Sequence, residues 1–181
     1  MRRSKHLKIE QADVFGYSMG GTVALAIAIR HPEVVRKVAI NGAHFGKLEE
    51  AFEPELFRQF QNLPADFAPP PLKDAYDKVA PDPKHWPTLV AKVKKLGLEF
   101  QGFAREDLKA IKAPVLIAQG DRDFTRPEHA VEMFRLIPNA QLAVFPGADH
   151  FLIHQAPEKL FPMVAAFLDA PVPGPKDPGR R

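Results

Sequence analysis

The sequence predicts an α/β fold with about four parallel strands, flanking helices and a helical insertion between the second and third strands. Two observations carry this. Four short apolar runs, Asp13 to Tyr17, Val35 to Asn41, Val115 to Gln119 and Gln141 to Phe145, alternate with segments of helical period. Strands separated by helices need crossovers, and crossovers give a parallel sheet. The stretch between the second and third runs is also far longer than one crossover needs, and its apolar residues recur at helical spacing.

Taken in order, the first two strands are joined by Gly20 to His31, whose interior Val23-Ala24-Leu25-Ala26-Ile27-Ala28-Ile29 is apolar all round, so a helix buried on all sides is expected. In the insertion, Leu48, Phe52, Leu56, Phe60 and Leu63 read as one helix. Pro69-Pro70-Pro71 opens a second, with Leu72, Tyr76 and Val79, and Trp86-Pro87 opens a third, with Leu89, Val93 and Leu96. After the third strand, Thr125-Arg126-Pro127-Glu128 has the pattern of a capping box. Ala130, Phe134 and Ile137 follow on one face, and Pro138 stops that helix. A last helix runs around Glu158 to Leu168, where Pro162 should kink it or mark its start. The expected organisation is a core of residues 1–45 and 104–170, a helical lid over 46–103, and a disordered Pro- and Gly-rich tail over 171–181.

Composition excludes several functions. A net charge of +3 and a pI near 9.2, without a dense Lys/Arg run, argue against a nucleic-acid surface. With no cysteine there is no disulfide framework, thiolate metal site or cysteine nucleophile. The longest apolar stretch, Val23 to Ile29, is far short of the ~20 residues a membrane span needs. The basic start Met1-Arg2-Arg3 has no apolar core behind it and does not read as a signal peptide, so a cytoplasmic location is expected. No cofactor is expected.

Three segments carry chemistry. Gly16-Tyr17-Ser18-Met19-Gly20-Gly21 falls where the first strand turns into the first helix. A Gly-x-Ser-x-Gly at such a turn lifts the serine hydroxyl clear of the sheet, and the flanking glycines are expected to remove Cβ atoms that would collide across the bend. The serine oxygen then lies over a helix N-terminus, where the free N–H of Met19 can donate to a developing oxyanion. Gly120-Asp121-Arg122-Asp123 follows the third strand, at the sheet edge where ligands and catalytic groups gather. Spacing favours Asp123 over Asp121 as the acid, and physics alone leaves both open. Pro146-Gly147-Ala148-Asp149-His150-Phe151 follows the fourth strand and brings a histidine to the same edge. His31, His44, His85, His129 and His154 lack that placement and read as surface or packing residues.

The elbow, acid loop and histidine loop together closely resemble the α/β-hydrolase family, over roughly His6 to Leu168. Within it the chain looks like the lid-bearing serine esterases, enol-lactonases and cofactor-free haloperoxidases. The resemblance implies a partial α/β-hydrolase fold with Ser18 as nucleophile, Asp123 as acid, His150 as base and Met19 N–H as one oxyanion donor. It implies a small-molecule ester or lactone substrate hydrolysed through an acyl-enzyme. The alternatives are a cofactor-free haloperoxidase using the same three residues, and a non-catalytic half-domain that binds or associates without turnover. The family places further strands and a His-Gly loop ahead of the elbow strand, so the chain is expected to be an N-terminally shortened form. The Met1–Ile9 segment then reads as the tail of the helix preceding that strand. An uncovered first strand is in turn expected to drive a homodimer or larger assembly.

Overall fold

A computed structural model describes residues 9–172. Most of the Met1–Ile9 segment, and the expected tail from residue 173 on, lie outside the described residues.

The four expected strands form one parallel sheet in chain order: β1 (Ala12–Tyr17), β2 (Val35–Asn41), β3 (Val115–Arg122) and β4 (Ala140–Asp149). β3 and β4 run past the apolar runs that announce them, into the acid and histidine loops. There Arg122 pairs with Asp149 after a register shift at Gly120/Arg122. The extension makes the two functional loops continuations of paired strands.

The sheet separates two apolar layers. Val38, Ile40, Val115 and Ile117 face α1 (Met19–Arg30), α6 (Arg105–Lys109) and α7 (Pro127–Leu136) through Ala24, Leu25, Leu108, Ala130 and Met133. The intervening Ala39, Leu116 and Ala118 face α9 (Pro157–Asp169) through Leu160, Val164 and Phe167. Strand residues alternate between faces, so both layers are written into consecutive apolar positions of β2 and β3.

Between β2 and β3 lie α2 (Leu48–Ala51), α3 (Pro54–Gln61), α4 (Pro70–Val79) and α5 (Trp86–Glu99). The single helix expected across Leu48 to Leu63 is two. Phe52 is extended and bridges antiparallel to Thr125, and Pro54 begins the next helix because a proline fits a first turn without loss of a bond. A short α8 (Leu152–Gln155) follows the histidine loop.

Other local expectations change. Helix α1 buries Gly21, Thr22, Ala24, Leu25 and Ala28 but leaves Met19 and Val23 about half exposed, so it is not enclosed on all sides. The capping box at Thr125 does not form: Arg126 is the N-cap and no side chain caps α7. Thr125 Oγ1 is buried without a hydrogen-bond partner, while its N–H donates to Asp123 Oδ1 at 3.2 Å and its backbone bridges to Phe52. Phe134 is exposed, and His129, Ala130 and Met133 form the buried stripe of α7 instead. Pro162 lies inside α9, whose start is Pro157. Among the described residues no helix is long and apolar enough to cross a membrane.

Candidate active site

Ser18 sits between β1 and α1 with φ 54° and ψ −124°, the one positive φ of a non-glycine residue among the described residues. Such a conformation costs on the order of 1–3 kcal/mol and persists only where its surroundings fix it. Here the Ser18 N–H donates to Asn41 O at 2.8 Å, and Ser18 O accepts from Gly21 N at 2.9 Å and Thr22 N at 3.2 Å. The turn is thus tied to the end of β2 and to the first turn of α1.

The flanking glycines do not play equal parts. A Cβ on Gly16 would lie 2.3 Å from Gly20 O and 2.6 Å from Gly21 N, both backbone atoms. A Cβ on Gly20 would meet nothing within 4 Å, whereas one on Gly21 would lie 2.6 Å from Ala43 Cβ. The expectation that the glycines on both sides of Ser18 relieve a collision holds for Gly16 and fails for Gly20. Gly20 contributes its carbonyl to the crowding, and its own Cβ position is open.

The three strand-end residues meet. Ser18 Oγ lies 2.8 Å from His150 Nε2, and His150 Nδ1 lies 2.8 Å from Asp123 Oδ1. Asp123 is 4% exposed and His150 7%, so this pair is shielded from water. With Nδ1–H donating to the carboxylate, Nε2 is free to accept from the serine hydroxyl. Asp123 Oδ2 is buried with no hydrogen-bond partner, leaving the imidazole and Thr125 N–H groups to support that carboxylate. Asp121 does different work: its Oδ1 accepts from Gly147 N at 2.8 Å and pins the loop that carries His150. The N–H of Met19 belongs to the first turn of α1, where such groups have no intrahelical acceptor.

Three neighbours are not legible in the sequence motifs. Phe124 stacks on the imidazole of His150 at 4.3 Å and 12°, and Tyr17 packs against the same ring at 5.2 Å. Burial, with Asp123 and Asp149 nearby, pushes the Tyr17 hydroxyl up to about 12 and keeps it neutral. Gly42 has φ 59°, and a Cβ there would lie 2.9 Å from Asp123 Oδ2 and 3.1 Å from His150 Nδ1. The Asn41-Gly42 pair at the end of a buried strand was the available signal, since strand ends collect functional groups and Asn-Gly marks a turn.

The loop after Gly42 is fixed by two neutral histidines. His44 Nδ1 donates to Gly46 O at 2.8 Å, and burial outweighs that bond in holding its pKa below the usual value. His129 Nε2 accepts from the N–H of Phe45 at 3.2 Å and of Gly46 at 3.4 Å, while its ring stacks on Phe45. Burial first, then the nearby His44, Arg126 and Arg105, lower its pKa to about 3. No group of three His, Cys, Asp or Glu among the described residues could hold a metal ion.

Residues 4–162 match the model of the alpha/beta hydrolase family. The chain belongs to the alpha/beta hydrolase family. Among curated relatives it is 28% identical over 189 residues to the 2-hydroxymuconate semialdehyde hydrolase of Pseudomonas putida, covering 90% of this chain and 64% of that protein. It is 29% identical over 166 residues to the pimeloyl-[acyl-carrier protein] methyl ester esterase of Neisseria meningitidis serogroup C, covering 79% and 64%. In fold it is similar to the 2-hydroxy-6-oxo-6-phenylhexa-2,4-dienoate hydrolase from Rhodococcus sp. strain RHA1, with a TM-score of 0.69, 22% identity, and 92% of this chain and 67% of that one covered. The chain spans under two thirds of the length of the two curated relatives. This alpha/beta hydrolase has the fold of the Rhodococcus hydrolase over 92% of its own length.

Proposed function

We propose that this alpha/beta hydrolase is a serine hydrolase of carboxylic esters or lactones, acting through Ser18, His150 and Asp123. The observation that carries the reading is the unbroken series Ser18 Oγ, His150 and Asp123, with both contacts at 2.8 Å and the acid–imidazole pair buried. The similarity to an esterase and to other hydrolases supports it.

In the proposed reaction the substrate carbonyl lies over the N-terminus of α1. His150 Nε2 takes the proton of Ser18 as Oγ attacks the carbonyl carbon, and Asp123 stabilises the imidazolium that forms. Met19 N–H, with the positive end of the helix dipole, donates to the oxyanion. Collapse breaks the carbonyl–alkoxy bond, and the imidazolium returns its proton to the departing alcohol. Water then attacks the acyl-enzyme with His150 as base, releasing the acid and restoring Ser18. The residue 46–103 helices serve in this reading as a lid over the acyl group.

Ser18→Ala should abolish hydrolysis of p-nitrophenyl esters, and a phosphonate probe should label the native protein and not the variant. Undiminished turnover by Ser18→Ala would remove Ser18 from the mechanism.

A further inference from the structure

An uncharged cavity of about 530 Å³ lies between α3, α4 and α5. Leu56, Phe60, Leu63, Trp86 and Val93 line it, and Phe124 forms a further part of its wall. Phe124 is the ring stacked on His150, so the cavity abuts the reacting groups through one aromatic side chain. Among the described lining residues there is no Lys, Arg, His, Asp or Glu. The Trp86 indole N–H is already spent, donating to Phe67 O at 2.8 Å.

We propose that this cavity receives the acyl group of the substrate and selects neutral chains or rings of medium size over short ones and over acyl groups ending in a charge. The proposal rests on Ser18 being the nucleophile. Its size follows from volume: an apolar cavity of ~150 Å³ holds one benzene, so this one has room for a chain of about eight carbons or a substituted ring. Its charge preference follows from the lining. A carboxylate entering here leaves water and finds no cation, while a methyl-ended chain gains ~0.8 kcal/mol per buried CH₂. Phe124 links the two functions: the same ring that bounds the acyl space rests on the imidazole that must move the proton.

Trp86 makes the test direct, because it is the chain's single tryptophan and part of the cavity wall. Methyl octanoate titrated into Ser18→Ala should change its tryptophan emission saturably. The monomethyl ester of octanedioic acid, which ends the chain in a carboxylate, should bind at least about tenfold more weakly, the factor that 1.4 kcal/mol of unpaired charge corresponds to. In the native protein kcat/KM should rise from p-nitrophenyl acetate to octanoate. Val93→Phe, which puts a ring into the space, should reduce the octanoate-to-acetate ratio at least tenfold. Leu56→Lys should bring binding of the anionic ester up to that of methyl octanoate.

The outcomes separate the two readings. Saturable binding of methyl octanoate by Ser18→Ala, with no turnover by the native protein, would sink the nucleophile and leave the cavity's ligand class standing. Turnover of acetate and octanoate at equal efficiency, with no change in emission, would overturn the cavity proposal and leave Ser18 in place. Equal or tighter binding of the anionic ester by Ser18→Ala would also overturn it.

Discussion

Alanine substitutions at Gly16 and Gly20 should behave in opposite ways, although both glycines flank Ser18 at the same separation. At Gly16 the added Cβ would meet Gly20 O at 2.3 Å and Gly20 C at 2.5 Å. These are backbone atoms, so no rotamer change relieves the overlap. Opening the closest contact to the ~3.4 Å of ordinary packing requires the strand end and the helix start to part by about 1 Å. Overpacking of this kind costs about 1–3 kcal/mol. For a chain of this length each kcal/mol lowers Tm by ~2–4 °C, so Gly16→Ala should melt several degrees below the native protein. The catalytic cost should be larger, because a 1 Å displacement of a reacting group can cost ~10²-fold in rate.

At Gly20 the same methyl enters open solvent, and alanine is the better helix former by up to ~1 kcal/mol. Gly20→Ala should therefore melt at or slightly above the native temperature and keep its rate of phosphonate labelling. Calorimetry and labelling kinetics on the two variants read both effects. Native stability and labelling in Gly16→Ala, or equal damage in the two variants, would refute the idea that the close approach at Gly16 sets the elbow.

Three further outcomes follow. Asp123→Asn should slow ester hydrolysis by ~10⁴-fold, since the amide stabilises the wrong imidazole tautomer. Asp121→Asn, which keeps an acceptor for Gly147 N, should stay within a few-fold of native, and steady-state kinetics on both variants check the assignment. For His129, the folded ring refuses a proton that the unfolded chain takes up below pH ~6.5, so its contribution is complete above that pH and declines as pH falls towards about 3. The stability difference between the native protein and His129→Gln should shrink by about 1.4 kcal/mol per pH unit, or ~2 kcal/mol between pH 6.5 and 5, in urea titrations; a pH-independent difference would contradict the neutral assignment. Finally, we propose that β1, an edge strand of the sheet without proline and with Phe15 37% exposed, pairs with a second copy of the chain. Light scattering at micromolar concentration should give a dimer or larger, and a stable monomer would sink the pairing.

What the sequence conveyed and what it withheld divide along physical lines. Parallel strands carry their own signature, because burial on both faces leaves apolar runs such as Val38-Ala39-Ile40, and β2 begins and ends where the sequence places it. The glycine–serine turn and the strand-end aspartate and histidine were legible because a sheet edge is a fixed place in a βα repeat. Contacts between distant segments were not legible. Thr125 has the spacing of a capping residue, yet its backbone is taken by Asp123 and Phe52 across the chain, and Arg126 becomes the N-cap. His129 carries no motif. Its role as acceptor for two N–H groups of a loop more than eighty residues earlier exists only in the folded chain. The same holds for Phe124, which adjoins the acid in sequence but whose stacking on His150 depends on how the β3 and β4 loops converge.

The site also explains why strain is concentrated at one residue. Ser18 alone among the described non-glycine residues has a positive φ, and its N–H and C=O are both bonded, one to β2 and one to the first turn of α1. That α1 buries Ala24, Leu25 and Ala28 against the sheet fixes the direction of its first turn, and hence where Ser18 Oγ points. His150 is held by its own set of contacts. Its ring has the Asp123 carboxylate at Nδ1, Phe124 stacked on it, Tyr17 beside it and Gly42 against the carboxylate side. The hydroxyl and the imidazole thus meet at 2.8 Å with both held by the surrounding structure, which in the proposed mechanism reduces the reorganisation left for the proton transfer. Such a site should be sensitive to an added Cβ at Gly16, which would meet the backbone of Gly20 and Gly21, and at Gly42, which would meet Asp123 and His150, and tolerant at Gly20, where nothing lies within 4 Å.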